Sequence, residues 1–353
     1  MRQHYCGLFV QPNEKSDGAI CTNDLISVSL AESENISDFQ SELLSDCRST
    51  LNRKGWGRFD IYLTEEICLS RIIISTESGS DLPWKISVPN SIEILPMHVT
   101  FGRKMFYDGD FDVAEAELFF KESNKLPVTS APNLGEYSAH FRKIFRKYPD
   151  CRIIHIAYSS KLSVSYQNAV IASKEFPPSR LQVIDSQSGS IGAGALIIKA
   201  CETVGRLGKN HSLNECVSII CSQRKKVCCS FVPDSLDYLK AGGRISGVAH
   251  FGAAMLNIKP CISIENGVLE SGKKYRGSLY RIADSLLTDF VNKNKPSKDF
   301  IVIGYGYKIN KGLLFSLKRQ AHRIGFKKSW CFQIGSAVTA HTGGECIGFA
   351  AIK

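Results

Sequence analysis

Arg152-Ile153-Ile154-His155-Ile156-Ala157-Tyr158-Ser159-Ser160-Lys161-Leu162-Ser163 opens the stretch that decides the fold, and Leu181-Gln182-Val183-Ile184 closes it. The run from Arg152 to Ala157 is apolar and rich in β-branched residues, and it reads as a buried strand. Ser163 to Glu175 has helical spacing. Leu181 to Ile184 is a second short strand, after Pro177-Pro178. Strand, helix and strand in that order make a crossover unit, and a crossover unit implies a parallel sheet covered on both faces.

The same alternation extends both ways. Upstream lie a strand at Arg71 to Ser75, extended pieces at Ile92 to Leu95 and Met97 to Phe101, and helices at Phe111 to Ser123 and Leu134 to Tyr148. Downstream, helices at Ile191 to Leu207 and Leu213 to Arg224 lead to a strand at Val227 to Val232, read as part of the same parallel sheet. After Pro233 the signals mix. Ile258 to Ile264 and Val268-Leu269 flank Asn266-Gly267, a hairpin turn. A helix at Leu279 to Val291 precedes a strand, helix, strand, strand series ending at Ile352. The expected architecture is α/β with two domains. Residues 69–232 form a parallel sheet flanked by helices, and residues 233–353 form a mixed sheet. Residues 1–68 are an extension without visible chemistry, in which Ile36 to Leu51 has amphipathic helical spacing.

Composition supports a packed core: 43% of the residues are apolar and 22% charged, outside the range of a disordered chain. No run nears the roughly 18 apolar residues of a membrane helix. The first residues lack the long apolar segment of a secretory signal. Thirteen scattered cysteines without a paired framework read as reduced thiols, packed as small hydrophobes. These features point to a cytoplasmic setting, at most peripheral at the inner face of the membrane. Residues 224–353 hold 21 Lys and Arg against 8 Asp and Glu, a net of +13 in a chain of net +10. Such a field fits a phosphorylated ligand, an anionic membrane surface, nucleic acid or an acidic protein, or else a solvated face.

Candidate chemistry sits in polar loops at strand ends, where ligands of open α/β sheets bind. Ser159, Ser160 and Ser163 lie at a helix entry, where one hydroxyl suffices for a cap and three are present. Thr129 and Ser130 precede another helix, where capping is the simpler reading. Gly242-Gly243 ends a helix and delivers Arg244. His341-Thr342-Gly343-Gly344 reads as a loop between two apolar strands. No phosphate loop of the GxxxxGK[ST] type, no GxSxG elbow and no HExxH pair occurs.

In this order the segments resemble the DegV family of bacterial lipid-binding proteins. The resemblance begins at Thr76-Glu77-Ser78-Gly79-Ser80-Asp81-Leu82-Pro83 and runs through Thr129-Ser130, Ser159 to Ser163 with Tyr166-Gln167, and Val183 to Ser186. It continues through Tyr238 to Ser246, Asn257 to Pro260, Arg276-Gly277 and His341 to Gly343, and covers roughly residues 70–353. It implies two α/β domains that enclose one long-chain fatty acid. Its carboxylate is then held by Thr129, Ser160, Arg244 and His341, with Ser130 and Ser163 nearby, without a metal or cofactor. It also implies a non-catalytic subunit of a bacterial fatty-acid kinase, feeding phospholipid metabolism. A separate ATP-binding subunit would phosphorylate the carboxylate; the basic last third would suit transient contact with an anionic membrane surface or with an acidic kinase subunit.

The chain departs from the family pattern at Glu77, Gly79, Val164, Ser165 and Gly344-Glu345; the last places an anion beside the expected anion site. Two other readings stand beside the resemblance. One is an acyl hydrolase or transferase with Ser160 or Ser163 as nucleophile and His341 as base. The other is a basic nucleic-acid-binding protein, against which the basic residues are not interleaved with stacking aromatics.

Overall fold

The computed structural model describes residues 9–12, 59–62, 71–87, 89–123, 125–207, 211–244 and 258–353. The chain divides into two compact units, residues 1–68 and 69–353. In the first, strands β1 (Phe9–Pro12) and β2 (Phe59–Tyr62) pair antiparallel. The expected helix at residues 36–51 lies outside the described residues.

The second unit is an α/β fold of two domains. Strands β3 (Ile72–Glu77) and β4 (Glu93–Leu95) are followed by β5 (His98–Phe101), β6 (Lys104–Tyr107) and β7 (Val128–Ser130). Then come β8 (Arg152–Ala157), β9 (Leu181–Asp185) and β10 (Val227–Val232). The last third adds β11 (Ile258–Glu265), β12 (Val268–Arg276), β13 (Phe300–Tyr305), β14 (Lys328–Gln333) and β15 (Ile347–Ile352). One sheet, in the order β4-β3-β8-β9, is parallel throughout. The other, β12-β11-β10-β15-β13-β14, is mixed, with β13 and β14 its one parallel pair. A small antiparallel sheet, β6-β5-β7, lies beside them in sequence and carries Thr129.

The two large sheets share a core through the helix Ser190–Leu207. Ten of its residues are buried, from Ile191 to Thr203. From Ile191 to Ile198 the helix is small and apolar on every side and is covered on every side. Ile72, Ile74, Ile154 and Ile156 of the parallel sheet and Cys229, Val302, Ala350 and Ile352 of the mixed sheet join its side chains in one cluster. Strand alternation then assigns the outer faces. Ile73 and Ile153 pack on Tyr137, Phe141 and Ile144 of the helix Leu134–Lys147. Ile301 and Ile303 pack under Leu286 and Leu317 of the helices Leu279–Asn294 and Lys311–Arg323. Each fully buried Ile or Leu contributes about 1.5–3 kcal/mol, so these three layers hold the unit together.

Two readings change. The strand Val227–Val232, expected in the parallel sheet, runs antiparallel between β11 and β15 in the mixed sheet. The structure therefore gives it to the second sheet, on the other side of the boundary drawn at Pro233. An apolar run looks alike in the middle of any sheet, and its partners are distant in sequence. The segment around His341 is a short helix, Ser336–Thr342, rather than a loop. Its start is gripped from far away. Asp81 Oδ1 accepts the Gly335 N–H at 2.8 Å, and Asp108 Oδ1 accepts the Ala337 N–H at 3.2 Å and the Ser336 hydroxyl.

Candidate functional site

A cavity of about 110 Å³ lies against the mixed sheet, beside β7 and the loop that follows β8. Its walls are apolar, with Met97, Ile191, Phe231, Leu269, Ile334 and Val338 among them. Thr129, Ser130, Ser163, Arg244 and His341 add its polar groups. Concave, apolar space with few polar groups is the usual form of a small-ligand site.

His341 is the centre of that polar set. Its Nε2 lies 2.7 Å from the Thr129 hydroxyl, which β7 presents. Its Nδ1 is buried without a hydrogen-bond partner. Burial, reinforced by the Arg244 charge, pushes the imidazole down to about 4, so the ring is neutral at pH 7. Arg244 follows the helix Leu236–Ala241, and the chain turns there through Gly243 at φ +70°. Its backbone N–H donates to the Leu239 carbonyl at 3.0 Å and its guanidinium to the Gly242 carbonyl. Gly242 is needed for proximity: a Cβ there would stand 2.7 Å from His341 Cε1. The glycine pair thus does two jobs, turning the chain and letting His341 close.

The hydroxyl loops divide. Thr129 and Ser130 cap nothing, since Asn133 caps the following helix by accepting the Glu136 N–H at 3.0 Å. Ser130 Oγ is 3.4 Å from His98 Nδ1. Ser163 lines the cavity, with its Oγ 3.0 Å from the Ser165 hydroxyl and accepting the Ser165 N–H at 3.2 Å. Ser160 does not line it. Its hydroxyl donates to Asp185 Oδ2 at 2.6 Å and its N–H to Oδ1 at 3.2 Å. Ser159 donates to the Gly267 carbonyl at 2.7 Å, tying the loop to the β11–β12 hairpin. The structure therefore brings Thr129, Ser130, Ser163, Arg244 and His341 together and leaves Ser160 out.

Other residues enter beside the expected site set, among them Glu77 and Gly79, which the sequence marks only as departures from the family pattern. Tyr158 lines the cavity directly after β8. Its N–H donates to Glu77 Oε2 at 2.9 Å. Glu77 is buried and also meets His155 Nε2 at 3.1 Å and the Tyr137 hydroxyl. Burial alone would raise its carboxyl; His155, Tyr137 and the Tyr158 N–H together hold it below the usual range. Gly79 leaves the space that Met97 and the Tyr158 ring occupy, with a Cβ there only 2.8 Å from Met97 Sδ. Tyr158 and Asp185 both stand at the carboxyl ends of parallel strands, so position along the sheet was the available signal. Glu345, feared as a competing anion, is not a lining residue, and its N–H donates to Asp234 Oδ2 at 3.3 Å.

Fold and site together define a two-domain α/β protein with an apolar cavity that ends in hydroxyls, a guanidinium and a neutral imidazole. The family model described as "Uncharacterised protein, DegV family" matches residues 71–353, and the chain belongs to that family. A DegV domain-containing protein of Caldanaerobacter subterraneus is 32% identical over 210 residues, 59% of this chain and 73% of that one. The structure of a fatty acid (stearic acid)-binding protein from Eubacterium ventriosum is similar at TM-score 0.69 and 25% identity, covering 81% of this chain and 98% of that one. A fatty-acid-binding DegV family protein from Thermus thermophilus has the same fold at TM-score 0.71 and 24% identity, covering 80% of this chain and 99% of that one.

Proposed function

We propose that this protein binds one long-chain fatty acid in the cavity and presents its carboxylate to a separate ATP-binding kinase subunit, without catalysing a reaction itself. The observation that carries the reading is the part-buried Thr129–His341 pair beside Arg244, at a mainly apolar cavity. Each methylene that leaves water contributes about 0.8 kcal/mol. A carboxylate taken out of water needs hydrogen bonds and a counter-charge. Thr129, Ser130 and Ser163 offer hydroxyl donors and Arg244 the charge; a neutral His341 orients the Thr129 hydroxyl. Ser160 in this reading holds the loop through Asp185 and leaves the carboxylate to Ser163. The fatty-acid-binding proteins of Eubacterium ventriosum and Thermus thermophilus support the ligand class. The hydrolase reading takes His341 as the base for Ser160 or Ser163, and here His341 pairs with Thr129 instead.

Native mass spectrometry of protein from a bacterial host tests the ligand. The expected result is one added mass of a long-chain fatty acid per chain, identified after extraction. Protein that carries no lipid and takes up neither palmitate nor oleate refutes the reading.

A further inference from the structure

The helix Lys311–Arg323 has a buried face of Leu314, Leu317 and Ala321 and an opposite face that nothing covers among the described residues. Along that opposite face Lys311, Phe315, Lys318, Arg319 and His322 recur at helical spacing, and all five are exposed. Phe315 is 65% exposed, with the Arg319 guanidinium 5.9 Å from its ring centre. Residues 300–344 contain no Asp or Glu at all. Some cations elsewhere on the described surface sit beside a carboxylate: Lys147 by Glu93, Arg142 by Glu175, Lys273 by Asp289, and Lys293 by Glu265. A face kept only for solubility carries mixed charge and no large apolar side chain at its centre. Here an aromatic ring is set among cations of one sign.

We propose that this helix face docks the protein on an anionic phospholipid surface, with Lys311, Lys318 and Arg319 among the headgroups and Phe315 at the acyl boundary. The inference rests on the fatty-acid reading, because a membrane is where such a ligand is collected. Charge complementarity selects this occupant, and a single exposed ring serves a lipid surface as an apolar anchor, whereas a single-strand site stacks successive bases on several aromatics and a duplex backbone contacts none. The helix stays folded on its own core, so it rests on the surface and does not insert. Past its end, β14 leads to cavity-lining Ile334 and then to the helix that carries His341.

Co-sedimentation with vesicles tests it, using equimolar phosphatidylglycerol and phosphatidylcholine against phosphatidylcholine alone. The expected result is binding to the anionic vesicles only, lost at high salt. Each cation near the surface is worth about fivefold in partitioning, so Lys311→Gln/Lys318→Gln/Arg319→Gln together lower it about a hundredfold. Phe315→Ser lowers it severalfold with the salt dependence kept. These side chains are exposed, and an unchanged melting temperature checks the fold of both variants. Uptake of oleate from cyclodextrin is expected to be normal in the triple variant, while uptake from anionic vesicles slows. Equal binding to neutral vesicles, or a triple variant that binds like the parent, overturns the proposal. Affinity for duplex DNA with none for vesicles overturns it too. A parent that binds vesicles through these residues but never takes up oleate refutes the fatty-acid reading and leaves the docking surface standing.

Discussion

His341 Nε2 and the Thr129 hydroxyl meet at 2.7 Å across 212 residues of sequence. The contact joins β7 of the small sheet to the short helix before β15, and it fixes the orientation of a neutral imidazole beside the cavity.

Thr129→Val keeps the shape of the side chain and removes the hydroxyl. His341 Nε2 then loses its partner in a part-buried place, which costs up to about 1–3 kcal/mol. Thermal or urea unfolding is expected to show that loss. Fatty-acid affinity is expected to fall about tenfold to a hundredfold, because a bond to a charged group is worth roughly 1.5–3 kcal/mol. An ordinary affinity for oleate with a normal melting temperature would contradict both assignments.

Ser163 and Ser160 are separable. Ser163→Ala is expected to weaken binding of the acid but hardly that of its methyl ester, since Ser163 lines the cavity. Ser160→Ala breaks the 2.6 Å bond to Asp185 and loosens the loop, so acid and ester are expected to weaken alike, with a drop in stability. Calorimetric titration of both ligands into both variants decides. The reverse pattern would put Ser160, not Ser163, at the carboxylate.

Gly242→Ala forces a methyl group against the His341 ring. Overpacking of this kind typically costs about 1–3 kcal/mol. The expected outcome is a lower melting temperature together with weaker fatty-acid binding, since the ring must move off Thr129. A variant that binds and melts like the parent would show that the ring has room the geometry does not reveal.

Asp81 links stability to pH. Burial pushes its carboxyl up to about 8, against the hydrogen bonds from Ser190 and Gly335 that favour the anion, and the Asp108 carboxylate adds to the push. Its native value lies above its unfolded one, so the folded state binds the proton more tightly. This contribution is fully present below about pH 4 and is lost as pH rises through about 8. The slope from this group is at most ~1.4 kcal/mol per pH unit. Unfolding free energies of the parent are expected to decline between about pH 4 and pH 8, and those of Asp81→Asn to decline less. Parallel curves would remove Asp81 from the account.

Much of the fold is written in local pattern. β8 and β15 occupy the residues their apolar runs mark, and the Asn266-Gly267 turn sets the β11–β12 register with both residues at positive φ. A β-branched run or a turn dipeptide acts through its own backbone, so a short window suffices to read it. The polar groups of the site were legible as types of residue at strand ends and helix entries.

What those groups do was decided elsewhere. Ser160 and Ser163 are three residues apart and chemically identical, yet Asp185 takes the hydroxyl of one and leaves the other facing the cavity. His341 sits on a helix because Asp81 and Asp108, more than two hundred residues earlier, satisfy the amides at its start. β10 joins the mixed sheet because β15, formed by the last residues of the chain, supplies the other half of its hydrogen bonds. The sequence determined which segments are strands and helices, since propensity and periodicity act over a few residues. Partner, direction and side-chain commitment came only with tertiary structure, because a hydrogen bond or a buried contact depends on where two distant segments meet.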